Sequence, residues 1–466
     1  MDSTPQQQPG EATIIAPGMD MAAATAVSTG SGDATVVVSR PIAAGDRTVA
    51  VGRLATIDLA QLQPRVEFNL RAHNTYALAG QLVQNYLLAE IRSYFAGGLS
   101  ARAPVALALA IDRSGSMEGK PIESVKTAVG LIVDQLTDAD MLSIATFGEH
   151  VDLLMPASRV LNRQLIKDHV NRIQPKGTTN LFSGMATAAE QLLSAKTPQH
   201  LSRVLLLTDG EANEGIVEYS DIISEARNLH ARGMTISTIG VGIEYNEELM
   251  SGIAKNTGGN YYYIDAIDRI PEVFDKELKD LFGTVATGVS LSLTLPEGVE
   301  LTHVYGFEAA RGGSRITVSL PDLVAGGTLP VLAQLAFKPH PPARYRVARS
   351  ELSFKYFGQG ARSELRGDFV AEFTLDKDRI LGGIDAVVEG VMREKDIVAN
   401  LRRAGQMMKT DVGTATMIIQ QAQAQLTAAG KHEDATLVAT ALGKLQGGAL
   451  DDATKSLSVA EFELER

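Results

Sequence analysis

Asp112, Ser114 and Ser116 stand at every second position directly after a wholly apolar run, residues 105–111 (Val-Ala-Leu-Ala-Leu-Ala-Ile). One carboxylate and two hydroxyls at that spacing can turn their oxygens toward a single point. Oxygen-only donors suit a hard divalent cation, Mg²⁺ before Zn²⁺. The same residue types are ordinary N-caps where a strand gives way to a helix, and this stretch alone leaves both readings open. The apolar run, bounded by Pro104, has the pattern of a strand buried on both faces at the centre of a parallel sheet. The carboxyl end of such a strand is where open α/β sheets hold their ligands.

Two further segments decide between the readings. Gly177-Thr178-Thr179-Asn180-Leu181 precedes a helical pattern, and Arg203-Val204-Leu205-Leu206-Leu207-Thr208-Asp209-Gly210 is a second buried strand ending in a carboxylate. Asp-x-Ser-x-Ser, a Gly-Thr-Thr-Asn loop and Thr-Asp-Gly, in that order, resemble the von Willebrand factor type A (VWA) domain as found in bacterial cytoplasmic proteins. The resemblance covers residues 103–283 and implies an intact metal-ion-dependent adhesion site (MIDAS). It implies that Ser114, Ser116 and Thr179 touch the metal directly and that Asp112 and Asp209 act directly or through water. Thr179, rather than Thr178, is the matching hydroxyl.

The expected cofactor is Mg²⁺, with Mn²⁺ or Ca²⁺ as substitutes. Asp112 and Asp209 together balance the charge of a divalent ion, and the other three donors are neutral. A cation held this way keeps water ligands, and an Asp or Glu carboxylate of a partner protein can replace one. The expected function is a non-enzymatic, metal-dependent protein-binding scaffold. Catalysis would need a base at the site, and the eight histidines lie outside the three motifs. Glu211 is the nearby carboxylate that could serve, which leaves a Mg²⁺-dependent hydrolase as an alternative. The resemblance supplies another, a subunit working beside an AAA+ ATPase of the MoxR or chelatase type.

The composition narrows the partners. A chain of 466 residues exceeds a single core. Its 55 acidic and 43 basic residues leave a net charge of −12, which opposes nucleic acid or an anionic membrane as the main partner. The chain has no cysteine, so disulfides, thiolate catalysis and Cys-ligated zinc are excluded. The N-terminus has neither the basic nor the apolar region of a signal peptide, and the longest wholly apolar run is too short to span a bilayer. A cytoplasmic protein without membrane insertion is expected.

Four regions position the candidate site. Residues 1–45, rich in small and polar types, are expected to form a disordered tail. Within it Glu11-Ala12-Thr13-Ile14-Ile15 and Asp33-Ala34-Thr35-Val36-Val37 repeat one pattern. Phosphorylated Thr13 or Thr35 would offer charge to an Arg-lined, phosphothreonine-reading partner. Strand patterns occupy 66–71 and 86–91. Strands and helices then alternate over 101–283, predicting a doubly wound, Rossmann-like α/β sheet. Gly240-Val241-Gly242 is no dinucleotide turn, because Tyr245 stands where a third glycine belongs. A period of two returns at 289–295, 316–320, 352–356 and 369–375 and predicts an antiparallel sheet pair. Strands before 101 and after 283 each lack partners. Residues 46–100 and 284–380 are therefore assigned to one antiparallel β-sandwich, into which the VWA domain at 101–283 is inserted. Helical spacing over 381–466 predicts a C-terminal helical bundle.

Overall fold

A computed structural model describes residues 24–29, 34–37, 64–94, 104–195, 200–242, 244–356 and 361–465. Five strands come first: β1 (Ala24–Thr29), β2 (Ala34–Val37), β3 (Arg65–Ala72), β4 (Tyr76–Leu78) and β5 (Val83–Tyr94). β1 pairs antiparallel with β2 and with β3. β1 and β2 both lie within the segment expected to be a tail over 1–45. Their Ala, Thr and Val runs suit a strand, and β1 supplies partners for an edge of β3 that would otherwise lie open. Thr35, on β2, is paired with Val27 of β1, whereas Thr13 lies outside the described residues.

The α/β unit follows. Its elements are β6 (Val105–Asp112), α1 (Lys120–Gln135), β7 (Met141–Phe147), β8 (Val151–Arg159), α2 (Arg163–Asn171), α3 (Leu181–Ala195) and β9 (Leu201–Thr208). They continue with α4 (Tyr219–Ala231), β10 (Thr235–Val241), α5 (Glu247–Thr257), β11 (Tyr261–Ile264) and α6 (Ile270–Phe282). The sheet order is β11-β10-β9-β6-β7-β8, parallel except for the β7–β8 pair. Successive side chains of a strand point to opposite faces, and β6 shows the consequence. Val105, Leu107, Leu109 and Ile111 pack with α1, α2 and α6, while Ala106, Ala108 and Ala110 receive α3, α4 and α5. Strand β8 escapes the sequence reading because Pro156 and exposed residues on both faces erase its period.

Eight more strands complete two sheets, antiparallel except for the β4–β19 pair: β12 (Thr284–Thr294), β13 (Val299–Val304), β14 (Ala309–Gly312), β15 (Arg315–Ser319), β16 (Leu323–Val324), β17 (Thr328–Phe337), β18 (Ala343–Tyr356) and β19 (Ser363–Thr374). One sheet runs β13-β17-β5-β3-β1-β2, the other β14-β15-β12-β18-β19-β4. A single apolar core joins them, with Phe68 and Leu87 from the first and Leu291, Phe354 and Phe373 from the second. β5 pairs with β17 along ten residue pairs. Helix α6 reaches β12 through Gly283 alone.

A buried ion pair within the α/β unit is approached by one carboxylate from the paired sheets. Arg203 Nη1, on β9, lies 2.9 Å from Glu277 Oε1 on α6. Ser237, Asn260 and Tyr262 donate to the same carboxylate, and Asp322, after β15, lies 3.9 Å from the guanidinium. Burial pushes the Glu277 carboxyl up, but Arg203 and the three donors outweigh it and hold it below its ordinary value.

The chain ends in α7 (Lys377–Gly382), α8 (Ala386–Met407), α9 (Val412–Ala428), α10 (His432–Gln446) and α11 (Leu450–Glu465). Short connections make neighbours of α8 to α11, and one apolar core holds the four. The Asp385 and Asp411 carboxylates cap α8 and α9. Phe462 of α11 leaves that core and packs inside the α/β unit against Tyr261, with Val459 beside the same cluster. No helix among the described residues is long and apolar enough to cross a membrane.

Candidate functional site

The chain leaves β6 for β7 on one side and later returns to β9 on the other. The crevice between β6 and β9 is thus the point where strand order reverses, the place such sheets bind ligands. Asp112 is the last residue of β6 and is fully buried. Its Oδ1 accepts from Ser114 N at 2.7 Å, and its Oδ2 accepts from the Thr208 hydroxyl at the end of β9. Ser116 sits in a 3₁₀ turn, Gly115–Met117. Its Oγ donates to Asp209 Oδ1 at 2.7 Å and lies 3.1 Å from Ser114 Oγ. One chain of hydrogen bonds therefore links Ser114, Ser116 and Asp209.

Thr179 enters from a third loop. Its backbone N donates to Asn213 Oδ1 at 2.8 Å, and Asn213 N returns a bond to its carbonyl. Gly115 N donates to Gly177 O, and Asn180 N to Gly148 O, so the Thr179 loop is bound on both sides. Gly148 tolerates no side chain, because a Cβ there would lie 2.7 Å from Lys176 O. A Cβ on Gly210 would meet Thr179 Oγ1 at 3.4 Å and Ser116 Oγ at 3.8 Å. Glycine keeps the space between those hydroxyls clear. Ser114, Ser116, Thr178, Thr179, Glu211 and Glu244 line the resulting cleft.

The two carboxylates stand in an unfavourable field. Burial pushes the Asp112 carboxyl up to about 6, against the bonds from Thr208 and Ser114, and the Asp209 charge adds to the rise. Burial also raises Asp209, with Ser116 opposing and the charge of Glu244 reinforcing. A nearby positive charge is what such a pair lacks. Among the described residues no group of three or more His, Cys, Asp or Glu side chains could hold a metal ion. The donor set here is different, two carboxylates with serine and threonine hydroxyls, and it fits a hard cation. The buried Thr178 Oγ1 has no hydrogen-bond partner among the described residues.

Comparison with known proteins assigns the α/β unit. Residues 106–276 match the von Willebrand factor type A domain. This segment is a VWA domain. The chain is similar to the uncharacterized protein YfbK of Escherichia coli (strain K12), 30% identical over 205 residues, 43% of this chain and 36% of that protein. The match thus spans little more than a third of that relative's length. Two solved structures resemble it over a longer stretch. The von Willebrand factor type A protein from Catenulispora acidiphila has a TM-score of 0.68 at 18% identity, covering 80% of this chain and 89% of its own. The ArnB paralog VWA2 from Sulfolobus acidocaldarius has a TM-score of 0.60 at 17% identity, covering 86% and 98%. At these identities the likeness is one of fold, and it extends beyond the VWA domain.

The structure brings Asp112, Ser114, Ser116, Thr179 and Asp209 to one end of the VWA sheet. Three further residues there escape the sequence reading. Thr208 stands within the Thr-Asp-Gly motif and fixes Asp112. Asn213, four residues after Asp209, holds Thr179 by both backbone polar groups. Glu244 reaches the cleft from the β10–α5 loop. No local pattern marks it, because its loop is set by Tyr245, whose ring leaves Gly240 no room for a side chain: a Cβ there would lie 2.2 Å from that ring.

Proposed function

We propose that this chain is a non-enzymatic binding protein whose VWA domain holds a divalent cation, Mg²⁺ by preference, and captures a partner protein through an Asp or Glu carboxylate. The observation that carries this reading is the convergence of Asp112, Ser114, Ser116 and Asp209 in one hydrogen-bonded set, with Thr179 facing the same cleft. Asp112 and Asp209 would balance the ion's charge, Ser114, Ser116 and Thr179 would complete the donor set, and the bound ion would supply a positive centre for the incoming carboxylate. The fold supports an attachment role, since the site sits at the exposed end of a rigid sheet and the flanking strands of the chain build the paired sheets that support it. In that reading the VWA domain is an insertion into one β-sandwich.

No histidine lines the cleft among the described residues, and Glu211 is exposed at its rim. Binding rather than turnover is therefore the favoured chemistry. The direct test is a thermal melt of the full chain in Mg²⁺ or Mn²⁺ and in EDTA, because a ligand bound only by the folded state raises its stability. A melting temperature indifferent to millimolar metal, with calorimetry also silent, rejects the reading.

A further inference from the structure

The C-terminal bundle reaches the rim of the candidate site through one buried lysine. Lys455, on α11, is 3% exposed. Its Nζ donates to the Tyr245 carbonyl at 2.7 Å and to Glu247 Oε2 at 2.9 Å, and it sits 4.0 Å from the centroid of the Tyr245 ring. A cation on an aromatic face is attracted by the ring's quadrupole, more so when both are out of water. Tyr245 is fixed from inside the VWA domain as well. Its ring lies against Gly240 at the end of β10, and its hydroxyl is 2.9 Å from that of Tyr261. Glu244 is the preceding residue, exposed, and turned into the cleft that Ser114, Ser116 and Thr179 line.

The surrounding contacts place this lysine in a built interface. Phe462, two helical turns further along α11, packs on Tyr261 inside the VWA core. The Tyr263 hydroxyl donates to Asp452, and Lys444 of α10 pairs with Asp265 at 2.7 Å. A buried ammonium is retained only where it is paired, and Lys455 spends its bonds on the loop that carries Glu244. A purely apolar contact would have seated α11 without addressing that loop.

We infer that α11 is a control element for the candidate site: Lys455 is a positioning residue that clamps Tyr245 and so holds the Glu244 carboxylate at the rim, where it raises the site's affinity for a divalent cation. The inference rests on the cation-binding reading given above. It makes the seating of the C-terminal bundle a determinant of how tightly metal is held by loops far earlier in the chain.

The test is a double-mutant cycle on the full chain, with Mn²⁺ alone as the probe and binding read by calorimetry, each variant being checked by its thermal melt in EDTA. Glu244→Gln removes a nearby negative charge and should weaken Mn²⁺ binding on the order of 3- to 10-fold. Lys455→Met keeps the apolar stem but releases the loop, and should weaken it to a similar extent. The double variant should be no weaker than the worse single one, since Lys455 acts through Glu244. A Lys455→Met protein that melts normally and binds as wild type overturns the inference, and so do losses that multiply in the double variant. Should Lys455→Met fail to fold, Lys455→Gln takes its place in the same cycle, since it keeps a polar end but removes the ammonium that holds Tyr245. Absence of Mn²⁺ binding by the wild type sinks the cation-binding reading itself and this inference with it, whereas normal binding with no effect of either substitution sinks the inference alone.

Discussion

Ser116 Oγ donates to Asp209 Oδ1 at 2.7 Å across 93 residues of sequence. The bond joins the loop after β6 to the end of β9, so the two carboxylates and both serine hydroxyls are already assembled. Thr179, from the third loop, is held through its backbone N and O and presents its hydroxyl to the same space.

That difference makes Thr179→Ala an informative substitution. Removing one hydroxyl on a loop should destabilise the metal-free protein by about 1 kcal/mol or less. Mn²⁺ affinity should fall at least about tenfold, the scale of a 1.4 kcal/mol loss, and retention of a carboxylate-bearing partner should fall with it. Ser124→Ala, on α1 and outside the three motifs, is the control and should bind normally. Calorimetry on both variants checks this, and wild-type affinity in Thr179→Ala would place the metal elsewhere.

A pH dependence follows from Asp112, whose carboxyl is raised from 3.8 to about 6 by burial. Between roughly pH 4 and 6 the metal-free folded state binds its proton more tightly than the unfolded chain does. Its contribution to stability therefore falls as pH rises through that window, and the deficit, on the order of 3 kcal/mol, is complete above about pH 6. Asp112→Asn should remove this term, leaving the variant less pH-dependent than wild type in urea melts run in EDTA at pH 4.5 and 7. Mn²⁺ affinity of the wild type should also weaken below about pH 6, where the proton competes for the same oxygen. Identical urea profiles for the two proteins would exclude a raised Asp112.

Glu277→Ala addresses the buried pair at the other end of the sheet. It leaves the Arg203 guanidinium, 5% exposed in its side chain, without its main counter-charge. Breaking such a pair on one side destabilises by about 3–5 kcal/mol. Chemical denaturation is the measurement, and a loss under about 1 kcal/mol would mean that Asp322 and water replace the lost carboxylate.

Two fragments test the interdependence of the units. Residues 284–380 lack β5, which lies between β17 and β3 in one sheet, and should show no cooperative melt, because an apolar face and a strand edge are left uncovered. Residues 104–283 retain the whole VWA sheet but lose Phe462 from its core. That fragment should fold, with a melting temperature below that of the same unit in the full chain. A cooperative melt and dispersed amide spectrum from 284–380 would show that the later strands are self-sufficient.

The legible parts of this molecule are those fixed by short-range pattern. Asp112 ends a strand whose other residues are all apolar, Asp209 follows the apolar run 204–207, and Ser114 and Ser116 come at a fixed offset, so their convergence is a matter of local geometry. The bundle and the alternating strands after 289 are readable for the same reason. Glu244 is not, because its approach depends on Tyr245 lying on Gly240 and on Lys455, 210 residues away. β1 and β2 are hidden in an Ala/Thr-rich composition that reads equally well as coil. Only the open edge of β3 selects the extended form, and that edge is a property of the assembled sheet.

The junction at Gly283 has a mechanical meaning. Helix α6 ends at Phe282 and β12 begins at Thr284, whose hydroxyl donates to Asp280 O while Gly283 N donates to Lys279 O. There is no slack between the last turn of the helix and the first rung of the sheet. α6 is pinned by Glu277 and β12 by its pairing with β15 and β18. A tug on one of these elements is felt by the other without an intervening tether, so a load applied at the candidate-site end of the VWA domain has a stiff path into the paired sheets behind it.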